Sequence, residues 1–203
     1  WAGIGWYRKR FYIPEADTGG RVYIDFDGAM SGTSVWLNGK RIGEWPYGYA
    51  SFRFELTDHL AFGEENTLAV RLDNKPGSSR WYPGGGIYRN VRLVKTGPTH
   101  VAHWGTFVTT PEVTAKSATV DIRTQLEGPV EGVTVHHAIV DAKTNSPVAE
   151  GSGADCTVMV KSPKLWDLRE RHLYRLITTL RREGEPCDSC ETIFGIRTIT
   201  FTP

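Results

Sequence analysis

Thr33-Ser34-Val35-Trp36-Leu37-Asn38-Gly39-Lys40-Arg41-Ile42-Gly43-Glu44-Trp45 is the stretch whose reading decides the fold. Asn38-Gly39 stands between two apolar-rich runs, and both residues accept the positive φ of a type I′ turn. The pair therefore predicts a tight β-hairpin. On either side the same period of two continues. Residues 6–13 alternate large and charged side chains, residues 21–27 put Val22, Ile24 and Phe26 on one face, and residues 51–56 and 67–72 alternate again. Trp36 on the hairpin is expected in the core. Thr57-Asp58-His59-Leu60 reads as a short helical turn capped by Thr57 or Asp58. Residues 78–93 turn on Pro83 and three glycines and run out as a strand. Ile87, Val91 and Leu93 are expected to anchor that strand, with Tyr88 on the opposite face.

Thr96-Gly97-Pro98 has linker composition and is the expected boundary between domains 1–97 and 98–203. Beyond it, strands are expected at 101–109, 118–125, 133–141, 156–160, 174–180 and 192–201, at intervals that suit a seven-stranded sandwich. Trp104 and Trp166 are expected in its core. No long stretch has helical periodicity, so the fold class is all-β, with two sandwiches in series.

Composition excludes several function classes. The 203 residues carry 24 basic and 23 acidic side chains, a net charge of +1, which gives no electrostatic pull toward nucleic acid or a membrane surface. No apolar run approaches the roughly 20 residues of a membrane helix. With 39% hydrophobic and 23% charged residues the chain should fold. It opens without Met and is expected to be a piece of a longer protein. Cys187 and Cys190 form a lone C-x-x-C, Cys156 stands apart, and a zinc site wants about four ligands, so the expectation is free or locally paired cysteines near a hairpin turn.

No catalytic set stands out. Asp25 and Asp27, at i and i+2, share one face of a strand, the solvent face. Glu64-Glu65 reads as a solvated turn pair. His136 and His137 are neighbours in a strand and point to opposite faces, so they cannot jointly hold a metal. Gly84-Gly85-Gly86 lacks the Lys-Ser/Thr and the helix of a phosphate loop. The aromatics say more. Sugar rings stack their C–H faces on aromatic planes while their hydroxyls seek Arg, Asp and Asn. Arg80, Trp81 and Tyr82 fit that chemistry, and they equally fit packing between domains. Trp45, Tyr47 and Tyr49 around Pro46 and Gly48 form either a second stacking surface or a loop packed on the sandwich.

Four blocks in order, residues 26–31 (FDGAMS), 35–43 (VWLNGKRIG), 66–70 (NTLAV) and 80–91 (RWYPGGGIYRNV), resemble the N-terminal sugar-binding jelly roll of family 2 glycoside hydrolases. The second half is similar to the immunoglobulin-like sandwich that follows it in that family, through Leu165-Trp166-Asp167, Leu173-Tyr174-Arg175-Leu176 and Phe194-Gly195-Ile196-Arg197. The resemblance implies a β-galactosidase-like parent whose two catalytic glutamates lie in a separate (β/α)₈ barrel, and residues 1–203 show no barrel pattern. It therefore implies no catalytic residue, metal or cofactor here. It places Asp27, Met30, Arg80, Trp81 and Tyr82 toward the barrel or the substrate. Some family members carry an amide where Met30 stands and an acid where Arg80 stands, so Arg80 is expected to meet an acidic group. The implied partners are a carbohydrate substrate and the protein's own C-terminal barrel. Oligomeric state is left open, and the suspected compartment is periplasmic or extracellular. The rival from another class is a self-sufficient carbohydrate-binding module, and an adhesion or scaffold protein comes third.

Overall fold

A computed structural model describes residues 2–78 and 84–201. The chain divides into two compact units, Trp1–Thr96 and Gly97–Pro203. Each has its own core.

Among the described residues nine strands build the first unit: β1 (Gly3–Ile13), β2 (Arg21–Phe26), β3 (Ala29–Met30), β4 (Thr33–Leu37), β5 (Lys40–Trp45), β6 (Phe52–Glu55), β7 (Glu64–Asn74), β8 (Gly86–Ile87) and β9 (Val91–Thr96). They pair antiparallel as a four-stranded sheet, β1-β7-β4-β5, a three-stranded sheet, β6-β2-β9, and a short β3-β8 ribbon. The hairpin turn forms at Asn38 (φ 50°) and Gly39 (φ 82°). Period-two patterning puts Leu68, Val70 and Leu72 of β7 on the same inner layer as Val35 and Leu37 of β4, facing Ile24 and Phe26 of β2. Phe26 and Phe52 stack with ring centroids 4.8 Å apart, and Trp45 stacks on Phe52 at 5.7 Å. Burying each such ring contributes roughly 2–3 kcal/mol.

Polar side chains fasten the hairpin. Asn66 is fully buried. Its Nδ2 donates to the carbonyls of Ala61 (2.8 Å) and Glu64 (3.2 Å), and its Oδ1 accepts from the Ala61 N–H (2.9 Å) and from Asn38 Nδ2 (2.7 Å). Asn38 Oδ1 accepts from the Thr67 N–H at 2.9 Å. The 3-10 turn Thr57–His59 has no side-chain cap; Thr57 Oγ1 accepts instead from the Val22 N–H at 3.0 Å, which ties the turn to β2.

Seven strands build the second unit: β10 (His100–Val113), β11 (Ser117–Glu127), β12 (Val133–Asp141), β13 (Pro147–Ser152), β14 (Asp155–Lys161), β15 (Tyr174–Arg182) and β16 (Glu185–Phe194). A three-stranded sheet, β10-β11-β14, faces a four-stranded one, β13-β12-β15-β16. Val120, Ile122, Val160, Ile139 and Leu176 fill the space between them. The Tyr174 hydroxyl donates to the Lys164 carbonyl (3.2 Å) and accepts from the Lys164 N–H (2.8 Å), the corner arrangement of immunoglobulin-like sandwiches. The chain is thus a jelly-roll sandwich followed by an immunoglobulin-like one.

Several expectations need correction. The last strand is not 192–201 but Glu185–Phe194, because Glu183 (φ 53°) and Gly184 (φ 88°) turn the chain straight back onto β15. β13 was not foreseen. Trp36 is not core: Val35 and Leu37 point inward, so Trp36 points outward, against Trp6 at 5.2 Å. Trp104 is 74% exposed, has φ +54°, and stacks on His103. Trp166 is half-buried beneath the Arg197 guanidinium. Val91 and Leu93 lie on the inner face of β9 yet remain 39% and 41% exposed.

Candidate functional site

At one end of the first sandwich three loops are held together by small residues. The β3-β8 ribbon pairs Ala29 with Ile87 and Met30 with Gly86. Met30 is buried, and its side chain lies against Gly48, where any Cβ would meet its sulfur. The Tyr88 ring lies on Gly28, where a Cβ would come within 2.7 Å of the ring. The Tyr88 hydroxyl donates to the Gly48 carbonyl at 2.9 Å. The Gly32 N–H donates to the Pro46 carbonyl at 3.2 Å. Gly28 and Gly48 are therefore needed for close approach, and Tyr88 pins residues 46–50 to residues 28–32.

Asp27 stands beside this cluster. Its N–H donates to the Asn90 carbonyl at 2.9 Å, and its own carbonyl accepts from Ser51 Oγ at 3.1 Å. Arg92 Nη1 donates to both carboxylate oxygens at 2.8 and 2.7 Å. Asp25, on the same outer face, is gripped by Arg53 through Nε (2.6 Å) and Nη2 (2.8 Å). Two neighbouring carboxylates, each locked by its own arginine, make poor partners for general acid and nucleophile work, which needs one carboxyl free to take up and release a proton.

Asp27 and Met30 thus belong to one cluster. Arg80, Trp81 and Tyr82 lie outside the described residues. Of the second aromatic group, half-buried Trp45 packs against the core, whereas Tyr47 and Tyr49 are exposed and meet edge to face at 5.8 Å. A cavity of about 140 Å³ opens beside Met30, between Tyr7, Leu72, Asn74 and Gly86. Sites for drug-sized ligands run to about 300 Å³ and more, so the described residues alone make a ledge and not a complete sugar pocket. The sequence reading missed Arg92 as the anchor of Asp27 and Tyr88 as the pin between loops. The Gly-Ala-Met and Tyr-Gly-Tyr steps around Gly28 and Gly48 were the available signal.

Away from this end, the paired histidines and the cysteines lie in the second unit. His136 and His137 do point apart: His136 is exposed, and buried His137 bonds Thr178 Oγ1 (3.1 Å) and the Gly153 carbonyl (3.0 Å). Burial pushes the His137 pKa down, against an upward pull from the Gly153 carbonyl. All three cysteines are free, and burial raises the thiol pKa of Cys156 and Cys190. Among the described residues no three His, Cys, Asp or Glu side chains converge as a metal site.

Comparison with known proteins gives the relationships. The family described as glycosyl hydrolase 2 galactose-binding domain-like matches residues 4–81, and the family described as glycosyl hydrolases family 2 matches residues 99–197. The chain is 43% identical to β-galactosidase BoGH2A of Bacteroides ovatus over 98% of its own length, and 32% identical to a β-glucuronidase of Formosa agariphila over 99%. It covers 25% and 24% of those two proteins, about a quarter of each. A crystal structure of a glycosyl hydrolase family 2 member from Bacteroides cellulosilyticus superposes with a TM-score of 0.95 at 36% identity, over 98% of this chain and 28% of that one.

Proposed function

Because the chain belongs to the glycosyl hydrolases of family 2, we propose that residues 1–203 are the paired accessory sandwiches of a retaining β-glycosidase of β-galactosidase type, whose catalytic barrel lies outside these residues. The observation that carries this is the serial match of two non-barrel domains, 4–81 and 99–197, within relatives about four times as long. In a retaining mechanism one carboxylate attacks the anomeric carbon while a second, about 5 Å away, protonates the leaving oxygen and then activates water. The Asp25 and Asp27 carboxylates, each held by an arginine, do not take those roles. Asp27, Arg80, Trp81 and Tyr82 instead face the barrel and complete its pocket, with Met30, Gly28, Gly48 and Tyr88 as the positioning residues of that wall.

The test is turnover of chromogenic β-galactoside and β-glucuronide by the purified 203-residue chain and by the longer polypeptide that contains it. The longer polypeptide should cleave the galactoside faster than the glucuronide, and the shorter chain should not exceed a heat-killed control. Turnover by residues 1–203 alone refutes the reading. In the longer polypeptide Arg80→Ala should lower kcat/KM at least tenfold with Tm unchanged. A lower Tm with unchanged activity would make that loop a structural seam only.

A further inference from the structure

One stretch of the second unit departs from regular strand geometry to carry an aromatic ring. β10 and β11 pair Val101 with Leu126 and then Thr106 with Thr124, so residues 102–105 of β10 bulge out opposite Gln125 alone. Within that bulge Trp104 has φ +54°, a conformation that disfavours a bulky L-residue. Gly105 lets the backbones close around it: a Cβ there would come within 2.8 Å of the Ala102 and Gln125 carbonyls. One face of the indole lies on the His103 imidazole, with centroids 4.4 Å and planes 27° apart. Trp104 is 74% exposed, so the other face is open, and a ring so open adds little to the core. Bulges and strained residues of this kind are kept where a side chain is aimed at something outside the fold. The surroundings are polar as well as aromatic. On the outer face of the same sheet Phe107 stands opposite Arg123, and Arg123 opposite Asp155. Phe107 is 61% exposed. Arg123 and Gln125 are exposed, and their side chains have no hydrogen bond or ion pair among the described residues.

We propose that Trp104, Phe107, Arg123 and Gln125 form a surface subsite for a neutral oligosaccharide, which holds a polymeric substrate on the second unit. This rests on the reading of the parent as a glycosidase, and not on any residue of the wall around Gly28 and Gly48. A sugar ring sets its C–H face on an open aromatic plane, and a guanidinium fork meets two neighbouring hydroxyls. An indole backed on one side and bare on the other suits such stacking. The charge balance favours a neutral chain, since Arg123 sits in the ladder beside Asp155. A protein partner fits less well. Covering an aromatic side chain completely buries roughly 150–250 Å². At their exposures Trp104 and Phe107 then offer roughly 200–340 Å² between them, against about 800 Å² per side in a stable protein interface. Charged residues are also depleted at the centre of such interfaces, whereas Arg123 stands directly beside Phe107.

Titration of a linear β-linked galactose tetramer into the 203-residue chain, followed by tryptophan fluorescence and by the indole N–H resonance of Trp104, tests this. Binding should saturate at millimolar concentration or below and shift that resonance. Free galactose should bind at least tenfold more weakly, because it covers one ring at a time. Trp104→Gly relaxes the positive φ, so it should keep or raise Tm while weakening tetramer binding at least tenfold. In the longer polypeptide the same variant should raise KM for a polymeric β-galactan at least fivefold and leave turnover of the chromogenic β-galactoside unchanged. Absence of saturable tetramer binding overturns the proposal. So does a lower Tm in Trp104→Gly, which makes the ring a structural part. So does shielding of Trp104 from acrylamide in the sugar-free longer polypeptide, which makes this face a protein contact. Chromogenic turnover by the longer polypeptide is a separate readout: its absence counts against the glycosidase reading, whereas turnover without tetramer binding counts against the subsite alone.

Discussion

Asn66→Ala tests whether the first sandwich is held by its polar clamp as much as by its apolar layer. The side chain is fully buried and makes four hydrogen bonds, two as donor and two as acceptor. Each such bond contributes about 0.5–1.5 kcal/mol net, and a buried group left without a partner costs about 1–3 kcal/mol. Ala61 is only half-buried, so water can reach its N–H and carbonyl and recover part of the loss. The expected cost is about 2–4 kcal/mol. For a unit of this size that lowers Tm by roughly 10–25 °C. Urea unfolding followed by circular dichroism and by tryptophan fluorescence, to which half-buried Trp45 on Phe52 contributes, gives the value directly. Asn66→Asp keeps the shape but sets a carboxylate oxygen against the carbonyls of Ala61 and Glu64. It should be at least as damaging at neutral pH and recover in part when acidified. Asn38→Gly keeps the turn and removes its amide. In a double-mutant cycle with Asn66→Ala it should show coupling of about 0.5 kcal/mol or more. A cost below about 0.5 kcal/mol for Asn66→Ala would refute the clamp.

Two further outcomes follow from the same contacts. Gly48→Ala drives a methyl into the Met30 side chain and should cost about 1–3 kcal/mol, read as a lower urea midpoint for the first unit. His137 has a depressed pKa in the folded chain, so the unfolded chain takes up its proton first as pH falls. Stability is then full above the ordinary value of 6.5 and is lost as pH drops through it, with a slope of up to about 1.4 kcal/mol per pH unit. The urea midpoint of the second unit should be lower at pH 5.5 than at pH 7.5, and His137→Gln should flatten that difference. An equal pH slope in the variant would count against the assignment.

The period-two pattern carried most of the strands, since it reports directly which side chains share a face. It did not report whether a second layer covers that face. Trp36 shows this: hydrophobicity argued for burial, but Val35 and Leu37 already take the inner positions and leave Trp36 outside. Val91 and Leu93 show the converse, inner positions with nothing above them. β16 was misplaced because its first half, Glu185-Pro186-Cys187-Asp188-Ser189-Cys190, is polar. It is a strand because it pairs with β15 along its length, which is a tertiary fact. Four sequence blocks in order singled out Asp27 and Met30, and the structure brings both into one loop cluster. The Arg92 grip on Asp27 and the Tyr88 bond to Gly48 join residues 65 and 40 positions apart, and no local pattern encodes such pairs.

The pairing of β2 with β9 also bears on how the protein is made. Arg21 meets Thr96, and on the other sheet Gly3 meets Asn74. Neither sheet of the first unit can close until nearly all of that unit has left the ribosome. At about 5–20 residues per second, the strand that opens at Arg21 has β6 beside it within roughly 2–7 s but waits roughly 4–15 s for β9. Until β9 arrives, that side of β2 is an unpaired strand edge, the kind of nascent segment that recruits chaperones or aggregates. The Asn38-Gly39 hairpin is local and forms within microseconds. It can therefore form before any of the long-range strand pairings of the first unit, and the rest of that sandwich assembles around it.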